Sequence, residues 1–282
     1  MSRERPSRQR LDQLLVERGL VSSRSRAQAL LLAGQVRVGE GDAARTDRRA
    51  GDLVDAGTAV RVDQPDAYVS RGGHKLASAL DAFAVNPSRA VCLDVGASTG
   101  GFTDVLLQRG ASKVYAVDVG RGQLAERLRQ DPRVVSMERT NARELAPGVV
   151  PEPIELAVVD VSFISLRLIL GPAASCFGSA GGAIVALVKP QFEAGRGATD
   201  GGVVRDPAVH RQVVEAVARH AVEIGIRVVG LTVSPLLGPR GNREFFLHLS
   251  VGGAGENVGR GVKAPNARNA DIGGLLDEVF GR

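Results

Sequence analysis

The sequence predicts an α/β protein: a mainly parallel sheet covered on both faces by helices, preceded by a small α+β unit. Three observations lead there. From residue 71 onward, short and almost wholly apolar runs alternate with amphipathic ones, the pattern of parallel strands joined by crossover helices. One run, AVCLDVG, passes directly into ASTGGFTDVLL, which reads as a strand, a Gly-rich turn and a helix. Residues 8–63 differ from the rest, with two short helices and then alternating strands in an Arg-rich background.

In the first unit, RLDQLLVERG sets Leu11, Leu14 and Leu15 at helical spacing and stops at Gly19. Ser22 or Ser23 can cap the next helix, SRSRAQALLLAG, which ends at Gly34. QVRVGE and TAVRVD then alternate as short strands. Residues 64–70, QPDAYVS, read as a linker. RGGHKLASALDAFAV follows as a helix with Leu76, Leu80 and Phe83 on one side. The strands of the larger unit are AVCLDVG, SKVYAVDVG, RVVSME, IELAVVDVS, GAIVALVKP, IRVVGLTVS and REFFLHLSV, with a long helix in DPAVHRQVVEAVARHAVEIG. Residues 252–269 are Gly-rich and polar, and a last short helix is expected near Leu275–Phe280. The expected domains are therefore 8–63, a linker at 64–70, 71–250, and a Gly-rich tail with a terminal helix at 251–282.

Composition excludes several classes. Apolar residues make up 44% and charged residues 24% of 282, which rules out general disorder. No run reaches the roughly 20 apolar residues of a membrane span, and the Arg-rich start lacks the apolar stretch of a signal peptide, so a cytoplasmic location without membrane contact is expected. Cys92 and Cys176 form no disulfide framework, and four scattered histidines give no metal cluster. Only four of the 36 Lys+Arg residues are lysine: Lys75, Lys113, Lys189 and Lys263. Lysine can be desolvated into a neutral, proton-accepting amine where arginine cannot, so the lysines that this chain keeps point to chemistry. In residues 1–63 the basic excess is only +3, but Arg24, Arg26 and Arg37 are close enough to form one basic face, and local clustering governs phosphate affinity. The run RLDQLLVERGLVSSRSRAQALLLAGQVRV resembles the S4 domain, a small RNA-binding module. The resemblance implies RNA binding, with Arg10, Arg24, Arg26 and Arg37 as the candidates.

The glycine loop allows a nucleotide-like ligand, because Gly96, Gly100 and Gly101 permit close backbone approach and the helix N-terminus offers free N–H groups. Spacing argues against two phosphate motifs. Ser98 occupies the second glycine of a dinucleotide fingerprint, and Phe102 the lysine of a P-loop. Asp118 ends the next strand, where a carboxylate can accept from both hydroxyls of a ribose. DVGASTGG followed by VYAVD resembles the S-adenosylmethionine site of Rossmann-like methyltransferases. That resemblance implies Asp94, Gly96, Ala97, Ser98, Thr99, Gly100, Gly101 and Asp118 as cofactor-binding residues.

Four further polar residues lie at strand ends or on a helix facing the same cleft. Lys75 precedes the first core strand, Asp160 ends AVVD, Lys189 ends IVALVK, and Glu244 opens the strand after GPRGN. Lys189 stands out, since a charge at the end of a buried apolar strand is costly without a purpose. His74, beside Lys75, faces another direction on the helix, and Phe163 is placed either to line the cleft or to pack in the core. The four resemble the Lys-Asp-Lys-Glu tetrad of ribose 2′-O-methyltransferases. That likeness implies Lys189 as base, Asp160 and Glu244 as orienting groups, and Lys75 as electrostatic tuner and substrate positioner.

With ERTNAR, DVSFISL, LVKPQFE, GGVVRD and SPLLGPRGN between these anchors, nearly the whole chain resembles the TlyA-type ribosomal RNA methyltransferases. The resemblance implies S-adenosylmethionine-dependent 2′-O-methylation of cytidine in 16S and/or 23S ribosomal RNA, with ribosomal RNA or ribosomal subunits as partner. The linker DAYV and the Gly-rich tail depart from the family pattern. Two alternatives stand beside the enzyme: a non-catalytic RNA-binding or ribosome-assembly protein, and a membrane-active protein, since family members have been labelled haemolysins.

Overall fold

The structure, a computed structural model, describes residues 8–41, 44–62, 66–195, 199–252 and 270–281. The chain divides into two compact units, Met1–Asp66 and Ala67–Arg282.

In the first unit β1 (Arg8–Arg10) runs directly into α1 (Leu11–Glu17), followed by α2 (Arg24–Leu32), β2 (Val36–Val38), β3 (Leu53–Asp55) and β4 (Val60–Val62). Ser23 is the α2 cap, its hydroxyl accepting from the Arg26 N–H at 3.2 Å. Leu11, Leu14 and Leu15 of α1 share a core with Ala27, Leu30 and Leu31 of α2 and with Val36, Val38 and Val54. The strands form two separate antiparallel pairs, β1 with β3 and β2 with β4. Sequence patterning finds β2 and β4, whose Val-Arg-Val runs alternate, but misses β1 and β3, because Arg8–Arg10 holds no apolar residue and Leu53–Asp55 does not alternate.

The second unit contains α3 (Gly72–Ala82), β5 (Val91–Val95), α4 (Gly101–Gln108), β6 (Lys113–Val117), α5 (Glu126–Arg129), β7 (Val134–Met137), β8 (Leu156–Val159) and α6 (Leu170–Ala174). After these come β9 (Gly182–Val188), α7 (Pro190–Glu193), α8 (Pro207–Glu223), β10 (Arg227–Val233), β11 (Phe245–Val251) and α9 (Ile272–Phe280). Its seven strands lie in the order β10-β11-β9-β8-β5-β6-β7. Pairings from β9 through β7 are parallel, and β11 runs antiparallel to both neighbours. The sheet is thus mainly parallel, as the alternation predicts. Every residue of β8 and β9 is buried, which is why these strands read as unbroken apolar runs. On β5, Leu93 and Val95 enter one core cluster and Cys92 the other, placing a core on each face of the sheet.

Two segments are bound more closely than their composition implies. The described part of the expected linker is fastened to the second unit: the Val69 N–H donates to Asp104 at 2.8 Å, and the Gln108 side chain donates to the Ala67 carbonyl at 2.8 Å. The Tyr68 ring lies where a Cβ on Gly73 would fall, 2.3 Å from it. At the other end α9 is a packed layer of this unit. Leu276 is buried, Phe280 stacks near Phe245 with ring centroids 5.0 Å apart, and Asp277 pairs with Arg211 of α8 at 2.7 Å. Residues 64–65 of the linker and 253–269 of the Gly-rich stretch lie outside the described residues.

Candidate active site

β5 lies at the centre of the parallel strands, with β6 on one side and β8 on the other. The chain therefore leaves it in opposite directions on successive crossovers, and a crevice opens beyond the carboxyl ends at such a point. Register aligns Val95 with Val117 and with Val159, so the next residues, Gly96, Asp118 and Asp160, stand level at that edge. A cleft of about 570 Å³ lies there, with Gly96, Ser98, Asp118, Asn141, Asp160, Ser162 and Phe163 in its walls. Two large apolar side chains in the same walls, Val119 and Phe163, are 71% and 89% exposed. Apolar groups left bare inside a concave polar site are typical of a ligand-binding surface.

The glycine turn has two kinds of residue. Gly96 adopts a φ of +85°, and a Cβ there would fall 2.5 Å from the Asp160 carbonyl oxygen. Ser98 keeps a left-handed backbone (φ +47°) without being glycine, and its N–H donates to Asp118 at 2.8 Å. Gly100 and Gly101 are packing glycines. A Cβ on Gly100 would lie 2.3 Å from a Leu128 methyl, and one on Gly101 would lie 2.2 Å from the Ser70 hydroxyl. Thr99 is engaged through its carbonyl, which accepts from the Ala125 N–H at 3.1 Å. Asp94 is fully buried; one carboxylate oxygen accepts from the Thr103 hydroxyl at 2.6 Å and the other has no partner. Burial pushes its carboxyl up to about 7.

Of the eight residues expected at the cofactor, Gly96, Ser98 and Asp118 line the cleft. The other five, Asp94, Ala97, Thr99, Gly100 and Gly101, are not in its lining: Ala97 lines a small cavity with Ser98 and Asp118, and Gly100 and Gly101 pack against α5 and the start of α3. The donor set fits an adenosine. Asp118 already accepts from the Ser98 and Gly120 N–H groups at 2.8 and 2.7 Å, yet a carboxylate has further acceptor positions for a vicinal diol. Val119 and Ala142 offer apolar edges to a purine.

The four tetrad candidates form two ion pairs. Lys189 Nζ lies 2.7 Å from Asp160 Oδ1 and donates to Ser162 Oγ at 2.8 Å. The approach to Asp160 does not follow a hydrogen-bond direction, and Oδ1 has no hydrogen-bond partner, so that contact is one of charge. Lys75 Nζ donates to Glu244 Oε2 at 2.6 Å, with Glu244 wholly buried. Pairing of Phe245 with Val188 sets Glu244 beside Lys189 at the same sheet edge. His74 points elsewhere, its ring edge-on to Tyr68 at 5.1 Å.

Sequence reasoning missed the groups that hold these side chains. A Cβ on Gly238 would lie 2.0 Å from Glu244 Oε1, so the loop after β10 leaves room for that carboxylate only by lacking a side chain. Glu193 accepts from the Ser165 hydroxyl and from the Leu166 N–H, both at 2.6 Å. It thereby fixes the loop that carries Ser162 and Phe163.

In the first unit the basic candidates separate into two groups. Arg10 and Arg24 converge on the fully buried Asp12, at 3.0 Å each, and Gln28 adds a third donor at 3.2 Å. The Arg10 guanidinium holds the Asp12 carboxyl well below the usual carboxylate range, with help from Gln28 and Arg24 and against the opposing effect of burial. Arg37 stands opposite Arg61 in the β2–β4 register, a neighbour the sequence did not single out. The expectation that Arg24, Arg26 and Arg37 share one face is corrected. Residues two apart on a helix point to different sides, and although Arg24 and Arg26 are both exposed, Arg24 reaches toward Asp12.

Sheet order, switch-point cleft and glycine turn together define the class: a Rossmann-like methyltransferase. Comparison with known proteins narrows this. The FtsJ-like methyltransferase family matches residues 68–251, and the S4 domain matches residues 9–40. The 16S/23S rRNA (cytidine-2′-O)-methyltransferase TlyA of Mycobacterium tuberculosis is 51% identical over 86% of this chain and 90% of its own length. Hemolysin A of Brachyspira hyodysenteriae is 39% identical over 86% of this chain and 100% of its own. A solved structure of a hemolysin-named protein from Streptococcus thermophilus shares 42% identity, covers 97% of this chain and 96% of that one, and superposes with a TM-score of 0.68. The chain belongs to the TlyA family of FtsJ-like methyltransferases.

Proposed function

We propose that the protein transfers a methyl group from S-adenosylmethionine to the 2′-hydroxyl of a cytidine in 16S and/or 23S ribosomal RNA, in the cytoplasm. The observation that carries the reading is the Lys189 amine, held between Asp160 and Ser162, two residues of the cleft wall. The TlyA relative, named for this reaction, supports the substrate class. When bound, the cofactor supplies an electrophilic methyl carbon on a sulfonium. Asp118 and the 96–98 turn bind its adenosine part.

A ribose hydroxyl is a poor nucleophile, so its proton must leave as the oxygen attacks. Lys189 receives that proton. Asp160 holds the resulting ammonium by charge, and the buried Lys75–Glu244 pair fixes the neighbouring sheet edge. Phe163, bare at the cleft mouth, offers a stacking face to the target base. Arg10, Arg24, Arg26 and Arg37 bind phosphates of the folded RNA. Among the described residues no helix is long and apolar enough to cross a membrane.

Labelled methyl transfer to purified ribosomal subunits, followed by mapping of alkali-resistant linkages, tests the reading. Transfer to a cytidine sugar is expected, lost in Lys189→Ala with RNA binding kept. A methyl on a base, or full activity in Lys189→Ala, overturns it. Leakage of dye from liposomes treated with the purified protein would favour a membrane-active one.

A further inference from the structure

We infer that Ser162 is a positioning residue for the Lys189 amine, directing its proton-accepting side into the cleft; this rests on the reading of Lys189 as base. A lysine amine sits on a flexible four-carbon stem, so its direction must be imposed from outside. Asp160 Oδ1 is near, at 2.7 Å, but lies off the hydrogen-bond direction. Ser162 Oγ, at 2.8 Å, is the partner in hydrogen-bond geometry. Charge from Asp160 therefore holds the nitrogen in place, while the hydroxyl sets how it is turned.

The serine can do this because its loop is fixed by the segment that follows Lys189 itself. Chain direction passes from Lys189 into α7, where Phe192 lies against Phe163 with ring centroids 4.8 Å apart and Glu193 holds Ser165 and Leu166. Phe163, next to Ser162, sits at a φ of +63°, a conformation a non-glycine residue adopts only when its surroundings impose it. Both ends of the Lys189–Ser162 hydrogen bond are thus tied together within four residues on either side.

The proton count gives the hydroxyl its purpose. A neutral amine has two N–H bonds and one lone pair. With one N–H on Ser162, the second N–H and the lone pair share the remaining tetrahedral directions, and the Asp160 carboxylate, 2.7 Å away, disfavours the lone pair on its own side. In the transfer, the ribose oxygen bonds to the methyl carbon, and the electron pair of the broken carbon–sulfur bond stays on sulfur. The hydroxyl proton passes to Nζ, which becomes an ammonium with three N–H bonds, one still on Ser162. Without the serine the amine rotates freely, and misaimed catalytic groups cost about 10- to 100-fold in rate.

The test uses the full chain and has two readouts. In steady-state transfer to ribosomal subunits, Ser162→Ala should lower kcat about 10- to 100-fold with the KM values for RNA and cofactor kept. Ser162→Thr, which retains the hydroxyl, should recover most of the rate. Separately, the chain has only four lysines, so protein labelled with ¹³Cε-lysine gives a spectrum in which each can be assigned by single substitution. At one fixed pH, Ser162→Ala should move the Lys189 signal, because its hydrogen-bond partner is gone, and leave the Lys75 signal in place. Unchanged kcat or an unmoved Lys189 signal in Ser162→Ala overturns the role of the serine. Full methylation by Lys189→Ala overturns instead the reading of the base, and the two failures are told apart by which variant stays active.

Discussion

Lys75 Nζ lies 2.6 Å from Glu244 Oε2, across 169 residues of sequence, and Glu244 is wholly removed from solvent. The pair joins α3 to the start of β11. Removing one member of a buried pair leaves the other charge without compensation, a loss of about 3–5 kcal/mol, whereas replacing both by apolar groups is often neutral. Lys75→Met should therefore lower the urea midpoint followed by circular dichroism, and Lys75→Met with Glu244→Leu should recover much of it. Equal midpoints for single and double variants would show that the pair is not acting as a unit. Both variants should lack methyl transfer.

Gly96 is the glycine of the turn whose lack of a side chain is dictated by backbone. An added Cβ would meet the Asp160 carbonyl at 2.5 Å, and φ is +85°, so a side chain can be accommodated only by moving the end of β8. Left-handed strain alone costs about 1–3 kcal/mol. Gly96→Ala is expected to weaken S-adenosylmethionine binding at least tenfold by calorimetry, with loss of stability. Gly100→Ala meets only flexible leucine methyls besides its own backbone strain, and should retain more cofactor affinity than Gly96→Ala.

Asp94 gives stability a pH dependence whose sign is fixed. Its folded carboxyl is pushed up to about 7 from the ordinary value of 3.8, chiefly by burial. Between those values the unfolded chain has lost the proton while the folded protein keeps it, so stability falls as pH rises through that window and the full penalty is present above about 7. Asp94→Asn removes the ionisation while keeping an acceptor for the Thr103 hydroxyl. Urea midpoints should decline less between pH 5 and pH 8 in the variant than in the parent. Parallel declines would sink this account of Asp94.

Much of this was legible in the sequence where the signal is local. The apolar strands, the glycine turn and the strand-end positions of Asp118, Asp160 and Lys189 all follow from short-range pattern, and the structure contains each. What escaped depends on partners distant along the chain. Gly100 looks like a ligand glycine until Leu124 and Leu128 are seen beside it. The terminal helix shows an apolar side, but nothing in its own residues says that Phe280 meets Phe245. Gly238 reads as an ordinary turn residue, since its need for glycine comes from the carboxylate of Glu244. Periodicity reports which side of an element is apolar; it does not report what that side meets.

Asp12 decides between two accounts of RNA binding by the first unit. Counting charge alone, Asp12→Asn removes one negative charge beside Arg10 and Arg24 and should tighten binding. The structure favours the opposite outcome, because the buried carboxylate holds both guanidinium groups in one arrangement, and freeing them adds an ordering cost to every phosphate contact. Asp12→Asn should thus weaken binding to ribosomal RNA measured at fixed salt, while Arg24→Ala should weaken it and also reduce the slope of log affinity against log salt by about one. Tighter binding by Asp12→Asn would mean that the arginines act as a diffuse charge, and the arrangement around Asp12 would then serve the fold of the unit alone.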